Sequence, residues 1–175
     1  LSNKWEKVSL EDILNYEQPN KYIVKTTDYS DVFEIPVLTA GKTFILGYTN
    51  EKEGIYSTNN LPVIIFDDFT TATKYVDFPF KVKSSAIKIL KPKKDGINLK
   101  FVFYLMQSLR FNANQHKRYW ISEYSKLRVP FPPIEVQNSF VKEIELLEEE
   151  IHKAERNIQK NKENIKNKID KFFLK

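Results

Sequence analysis

At 175 residues, with 41% hydrophobic and 14% aromatic side chains, the chain can bury one core and carry one appendage. It has no cysteine, which excludes a disulfide framework and a thiolate metal site, and its two histidines, His116 and His152, cannot make a zinc cluster between them. The net charge of +5 is unevenly placed: residues 1–80 carry 7 Lys+Arg against 12 Asp+Glu, residues 81–128 carry 12 against 2, and the remainder balances. That basic middle stretch can attract a polyanion; the bland alternative is a solvated face of a lysine-rich protein. No apolar run approaches the roughly 18 residues of a membrane span, and Leu1-Ser2-Asn3-Lys4 has no signal-peptide apolar segment, so a soluble, cytoplasmic protein is expected.

In chain order, Ser9-Leu10-Glu11-Asp12 is a capping-box pattern that predicts a short helix through Leu14, with Trp5 and Leu10 in the core. From Tyr22 to Leu90, short β-branched and aromatic runs predict strands at Tyr22-Ile23-Val24, Phe33-Glu34-Ile35, Phe44-Ile45-Leu46, Ile55-Tyr56, Val63-Ile64-Ile65-Phe66, Tyr75-Val76, Phe80-Lys81-Val82 and Ala86 to Leu90. Turn residues such as Ala40-Gly41-Lys42 and Ser57-Thr58-Asn59-Asn60 separate them. Helical spacing returns over Asn98–Asn112, with Leu99, Val102, Phe103, Met106 and Leu109 on one face. Asn114 to Trp120 follows as a basic, aromatic cluster too polar for an interior, and Leu127-Arg128-Val129 predicts a last strand. Pro130, Pro132 and Pro133 then break regularity.

The last quarter, Asn138 to Phe173, predicts one long helix. Ile144, Ile151, Ile158, Ile165 and Phe172 fall seven apart, and Phe140, Leu147 and Ala154 occupy the interleaved positions of a heptad seam. Asn161 and Lys168 interrupt the second row, either as register devices or as a solvated end. The expected class is therefore α+β: an irregular, mostly antiparallel sheet domain with packed helices over residues 1–137, then a long coiled-coil helix over 138–175.

Catalytic signatures are absent: there is no Gly-rich nucleotide loop, no G-x-S-x-G and no H-E-x-x-H. Asp67-Asp68 follows an apolar strand, but no acid of the globular part has a lysine two residues on, as a common metal-dependent nuclease site requires; a loop-structuring or DNA-proximal role is favoured over a metal. Phe131-Pro132-Pro133 only looks like a methyltransferase motif. Binding features are stronger. The hydroxyl-rich loop Phe69 to Lys74 and the mixture Lys81 to Ser85 suit a nucleic-acid groove, although Ser and Thr are ordinary in turns. His116-Lys117-Arg118-Tyr119 places donors beside an aromatic, as phosphate contact, guanine reading and base stacking require.

The order Trp5-x-x-Val8-x-Leu10-x-Asp12-Ile13, Ile35-Pro36-Val37-Leu38-Thr39-Ala40-Gly41, Gly47-Tyr48-Thr49, Pro62 to Asp68 and Phe80 to Ala86 resembles a target recognition domain from the specificity subunit of type I restriction-modification enzymes. The exit Pro130-Phe131-Pro132-Pro133-x-x-x-Gln137 into a heptad helix is similar to that family's junction into its spacer helix. The resemblance implies a subunit with no chemistry of its own and no cofactor. Such a subunit reads one half of a bipartite double-stranded DNA site and directs adenine methylation and restriction by methyltransferase and restriction subunits, with adenosylmethionine on the methyltransferase. Candidate DNA contacts are Thr39, Lys42, Tyr48, Thr70, Thr71, Thr73, Lys74, Lys83, Ser84, His116, Lys117 and Arg118; the seam residues are the candidate partner face, and no metal is expected. The pattern departs from the family's plan in having one recognition domain and one helix. A homodimerising half-subunit, one half of a longer subunit and a segment of a fused enzyme all remain open, Leu1 in place of Met favouring a piece of something longer. The competing reading is a coiled-coil scaffold with a nonspecific polyanion- or RNA-binding basic domain.

Overall fold

The computed structural model describes residues 5–39, 43–113, 115 and 117–173. The chain divides into two compact units, residues 1–134 and 135–175. In the first, strands β1 (Lys7–Ser9), β2 (Leu14–Glu17), β3 (Ile35–Leu38), β4 (Ile45–Thr49), β5 (Val63–Asp67), β6 (Thr73–Val76), β7 (Lys81–Val82), β8 (Ile87–Pro92) and β9 (Arg128–Pro130) are joined by helices α1 (Leu10–Ile13) and α2 (Leu99–Ser108). The main sheet has the order β2-β8-β5-β6 and is antiparallel throughout. A second sheet, β4-β3-β7, contains a parallel pair, β3 with β7, and β1 pairs with β9. The fold is α+β, as the sequence predicts.

The run Val63-Ile64-Ile65-Phe66-Asp67 forms β5 because both faces of this central strand are covered, so no polar alternation is needed. Val63 and Ile65 join Leu38, Tyr56, Val76, Phe80, Val82, Ile87 and Ile89 in one buried cluster. Phe66, on the opposite face, meets the rings of Trp120 at 5.1 Å and Tyr124 at 4.8 Å. Its cross-strand partner in β8 is Lys88. Asn98 caps α2, its side-chain oxygen accepting from the Lys100 and Phe101 amides at 3.0 and 3.1 Å. Ser9 and Asp12 form the predicted capping interaction, the Asp12 carboxylate accepting from the Ser9 amide at 3.0 Å and hydroxyl at 2.5 Å. Leu10 is fully buried and Trp5 half-buried.

Several local expectations change. The helix after Ser9 ends at Ile13, with Leu14 opening β2; Phe33 and Glu34 precede β3; and Ile55-Tyr56 is no strand, Tyr56 making a single bridge to Phe80. Tyr22-Ile23-Val24 is not a strand: Pro19 opens a 3-10 turn through Tyr22, and Ile23 makes a single bridge to Val82. Helix α2 ends at Ser108 rather than Asn112, where the Ser108 hydroxyl donates to the Leu105 carbonyl at 2.7 Å and the chain turns extended at Leu109. The basic, aromatic cluster splits instead of lying wholly outside the interior: Tyr119 and Trp120 are buried, Tyr119 lying 5.3 Å from Phe111, while Lys117 and Arg118 stay at the surface.

From Glu135 on, the second unit is helix α3 (Ile134–Phe173), 40 residues that begin directly after Pro133 rather than at Asn138. At about 1.5 Å per residue it is about 60 Å long. Leu147, Ile151, Ile158, Ile165 and Phe172 are each more than half exposed along it. Among the described residues no helix is long and apolar enough to cross a membrane.

Candidate nucleic-acid interface

Two buried aspartates at the end of β5 organise the loops. Asp67 shapes its own turn: one carboxylate oxygen accepts from the Phe69 amide at 2.9 Å and the Thr70 amide at 3.3 Å, and the other accepts from the Thr70 hydroxyl at 2.6 Å. The turn carries Thr71 at φ 61°, in the left-handed region. Asp68 fastens three segments. Its amide donates to the Ala86 carbonyl at 2.9 Å and its carbonyl accepts from the Tyr119 amide at 2.9 Å. One carboxylate oxygen accepts from the Trp120 amide at 2.8 Å, and the other pairs with Lys88 Nζ at 3.0 Å. Lys88 also donates to Gln18 at 3.1 Å. The pair of aspartates is thus a loop-structuring device.

On this frame the loops present cations seated on aromatic rings. The Arg118 guanidinium lies 5.6 Å from the Phe69 ring centroid, 3.3 Å from the Ser85 carbonyl and 3.7 Å from Asp68. Lys83 sits 5.7 Å over Tyr29, and its amide donates to the Leu38 carbonyl at 2.8 Å, which brings it beside Thr39. The Thr39 amide in turn donates to the Phe44 carbonyl at 3.0 Å, and Lys74 lies 5.9 Å over the Phe44 ring. Contacts among four parts of the chain therefore link Thr39, Lys83 with Ser84, the Thr70-Thr71 turn with Lys74 of β6, and Arg118 into one connected series. Lys117, beside Arg118, lies 5.5 Å over Tyr119 and pairs with Glu123; the hydrogen bond to Glu123 raises its pKa.

Other candidates lie elsewhere. Thr73 is buried in β6, where its hydroxyl and carbonyl accept from the Gln107 side chain at 2.5 and 3.2 Å, so it serves the packing of α2 on the sheet. Tyr48 lines a separate apolar groove of about 390 Å³ with Ile35, Pro36, Ile45, Phe78 and Pro79. Lys42 and His116 fall outside the described residues. The charge count also needs correcting for burial. Lys81 is buried against Glu51 at 3.0 Å and Lys88 against Asp68, so two of the twelve cations of residues 81–128 are spent inside the fold.

Sequence reasoning missed Lys88, Phe44 and Tyr29, and placed Phe69 and Ser85 in candidate loops without their contacts to Arg118. Lys88 was the most detectable: a lysine inside the apolar run Ile87-Lys88-Ile89-Leu90 needs a carboxylate if the strand is buried on both faces, and Asp68 stands at the end of the other such run. Among the described residues no group of three or more His, Asp and Glu is placed to hold a metal ion.

The first unit is thus a sheet domain that displays connected cations on aromatic seats, and the second is a long helix with an exposed heptad stripe. Comparison with known proteins gives the chain a family. The type I restriction modification DNA specificity domain matches residues 2–169, and the chain belongs to that family. It is 56% identical over 130 residues to the type I restriction enzyme EcoR124I/EcoR124II specificity subunit of Escherichia coli, covering 73% of this chain and 32% of that relative. Its fold is that of the type I restriction-modification S subunit from M. genitalium (TM-score 0.67, 14% identity, 89% of this chain and 42% of that one). It is also that of the HsdS subunit from Thermoanaerobacter tengcongensis (TM-score 0.56, 13% identity, 90% and 40%). The chain therefore spans less than half the length of each of these proteins.

Proposed function

We propose that the chain reads one half of a bipartite double-stranded DNA site as the recognition module of a type I restriction-modification specificity subunit. The observation that carries this reading is the connected series, in which Lys74, Lys83 and Arg118 are held on aromatic seats and Arg118 also meets the Ser85 hydroxyl. Cations of this kind place a protein on the phosphate backbone, and hydroxyls and arginine read base edges in the major groove. The chain does no chemistry itself. Methyltransferase subunits, which hold adenosylmethionine, methylate adenine, and restriction subunits cleave, in a cytoplasmic complex. Helix α3 pairs with a matching helix, from a second recognition domain in the same chain or from a second copy. The test is methylation mapping in a host carrying the methyltransferase with and without this chain. A bipartite adenine motif that vanishes when the chain is deleted is expected, and an unchanged methylation pattern refutes the reading.

A further inference from the structure

A buried lysine beneath a recognition loop has no direct route to DNA, yet it shares its carboxylate with an arginine that has one. Lys88 and Asp68 are 1% and 2% exposed at their side chains, and Arg118 is 50% exposed. The Arg118 guanidinium is held on three sides: by Asp68 at 3.7 Å, by the Ser85 carbonyl and hydroxyl at 3.3 and 3.5 Å, and by the Phe69 ring at 5.6 Å. Asp68 also fixes the backbone that carries Arg118, through the Tyr119 and Trp120 amides that follow it. From these contacts we infer that the Asp68–Lys88 pair positions Arg118 for sequence discrimination. It sets both the place of the loop and the direction of the guanidinium, while Arg118 makes the contact.

The chemistry divides the labour. The Trp120 amide holds one Asp68 oxygen. Without Lys88, the oxygen that faces Arg118 would have the arginine as its one charged partner among the described residues and would shift with it, blunting the choice between bases. Lys88 anchors Asp68 from the interior, where Gln18 holds the ammonium in turn, so the carboxylate is a fixed acceptor. A fork of N–H donors restrained in this way meets a guanine edge in one orientation and fits other base pairs poorly.

This inference rests on the DNA-reading function proposed above, and its test separates the two. The complex with methyltransferase subunits is assayed on duplexes carrying the mapped motif and on its single-base-pair variants. Arg118→Ala is expected to lower discrimination about tenfold at the positions it reads. Asp68→Asn/Lys88→Met keeps an acceptor for the Trp120 amide and leaves no unpaired buried charge. It is expected to lower discrimination at those same positions on the order of fivefold to tenfold, with thermal melting confirming a folded chain. Added to Arg118→Ala it should cost little more, because it acts through that side chain. A uniform loss of affinity at all sequences, a full additional loss in the Arg118→Ala background, or unchanged discrimination in the double variant each overturns the positioning role and leaves the recognition function standing. Absence of any motif for the unaltered chain overturns both.

Discussion

Thr71 occupies φ 61°, a region that costs a β-branched residue about 1–3 kcal/mol relative to glycine. The strain is imposed by the turn that Asp67 organises and falls on a residue expected at the DNA. Thr71→Gly should therefore raise the urea unfolding free energy by about 1 kcal/mol while weakening DNA binding; a gain in both would remove Thr71 from the interface. Lys88 gives the opposite sign. Lys88→Met alone leaves the Asp68 carboxylate buried with only the half-exposed Arg118 as counter-charge, and should cost about 3–5 kcal/mol in urea unfolding, most of it recovered on adding Asp68→Asn. The pH limits of stability are shaped by several shifted groups, of which Tyr124 and Glu51 show the two signs. Burial pushes the Tyr124 phenol up to about 12 from its ordinary 10.0. The folded state holds that proton more tightly, so this contribution is complete below pH 10 and is lost as pH rises toward 12. Glu51 works in the reverse sense. Burial alone would raise its pKa, but Lys81 and the Lys25 and Thr26 amides outweigh it and hold the carboxyl below 4.5. Its contribution is present above pH 4.5 and fades as pH falls through the lower folded value. Urea midpoints across pH should show both limbs, with Tyr124→Phe reducing the alkaline one, to which Tyr22, also pushed up to about 12, contributes as well.

At the level of elements, helix α3 carries a second pattern besides its heptads. Residues 142–155 hold six glutamates against Lys142 and Lys153, whereas residues 156–171 hold six Lys and Arg against Glu163 and Asp170. An antiparallel pair of such helices sets each acidic half against a basic half, and a parallel pair sets like against like. The helix is therefore expected to pair antiparallel, through the exposed row that includes Ile151 and Ile158. Ile151→Asp should abolish that pairing in light scattering, and an unchanged oligomeric state would refute it. Inserting seven residues preserves the heptad and adds about 10.5 Å of helix. At 3.4 Å per base pair the gap in the recognised site should widen by about three base pairs, both half-sites unchanged. This helix was readable in the sequence because its signal is local and periodic, and β5 and β8 because each is a short β-branched, apolar-rich run. The loops were not, because their structure is decided by partners far along the chain. Tyr119 and Trp120 read as a surface cluster until Phe66, Phe111 and Asp68 come round to bury them, and Thr73 read as a contact until Gln107 claimed it.

For the whole molecule, net charge overstates what can reach DNA. Of the cations in residues 81–128, Lys81 and Lys88 are buried in ion pairs and Lys91 is paired with Glu17 at 2.8 Å. The cations that the connected loops display are Lys74, Lys83, Lys117 and Arg118, and Lys117 must give up Glu123 to contribute fully. Each phosphate neutralised on duplex DNA lowers the slope of log K against log salt concentration by about 0.9. Three or four contacts per chain predict a slope of about −3 to −4, whereas engagement of the entire basic stretch predicts one near −10. Titration of a single half-site duplex at several salt concentrations distinguishes them. A slope near −10 would show that binding is spread over the basic surface, as a nonspecific polyanion binder requires. The shallow slope, combined with loss of about one unit in Lys83→Ala and no change in Lys81→Met, would confine the interface to the connected loops.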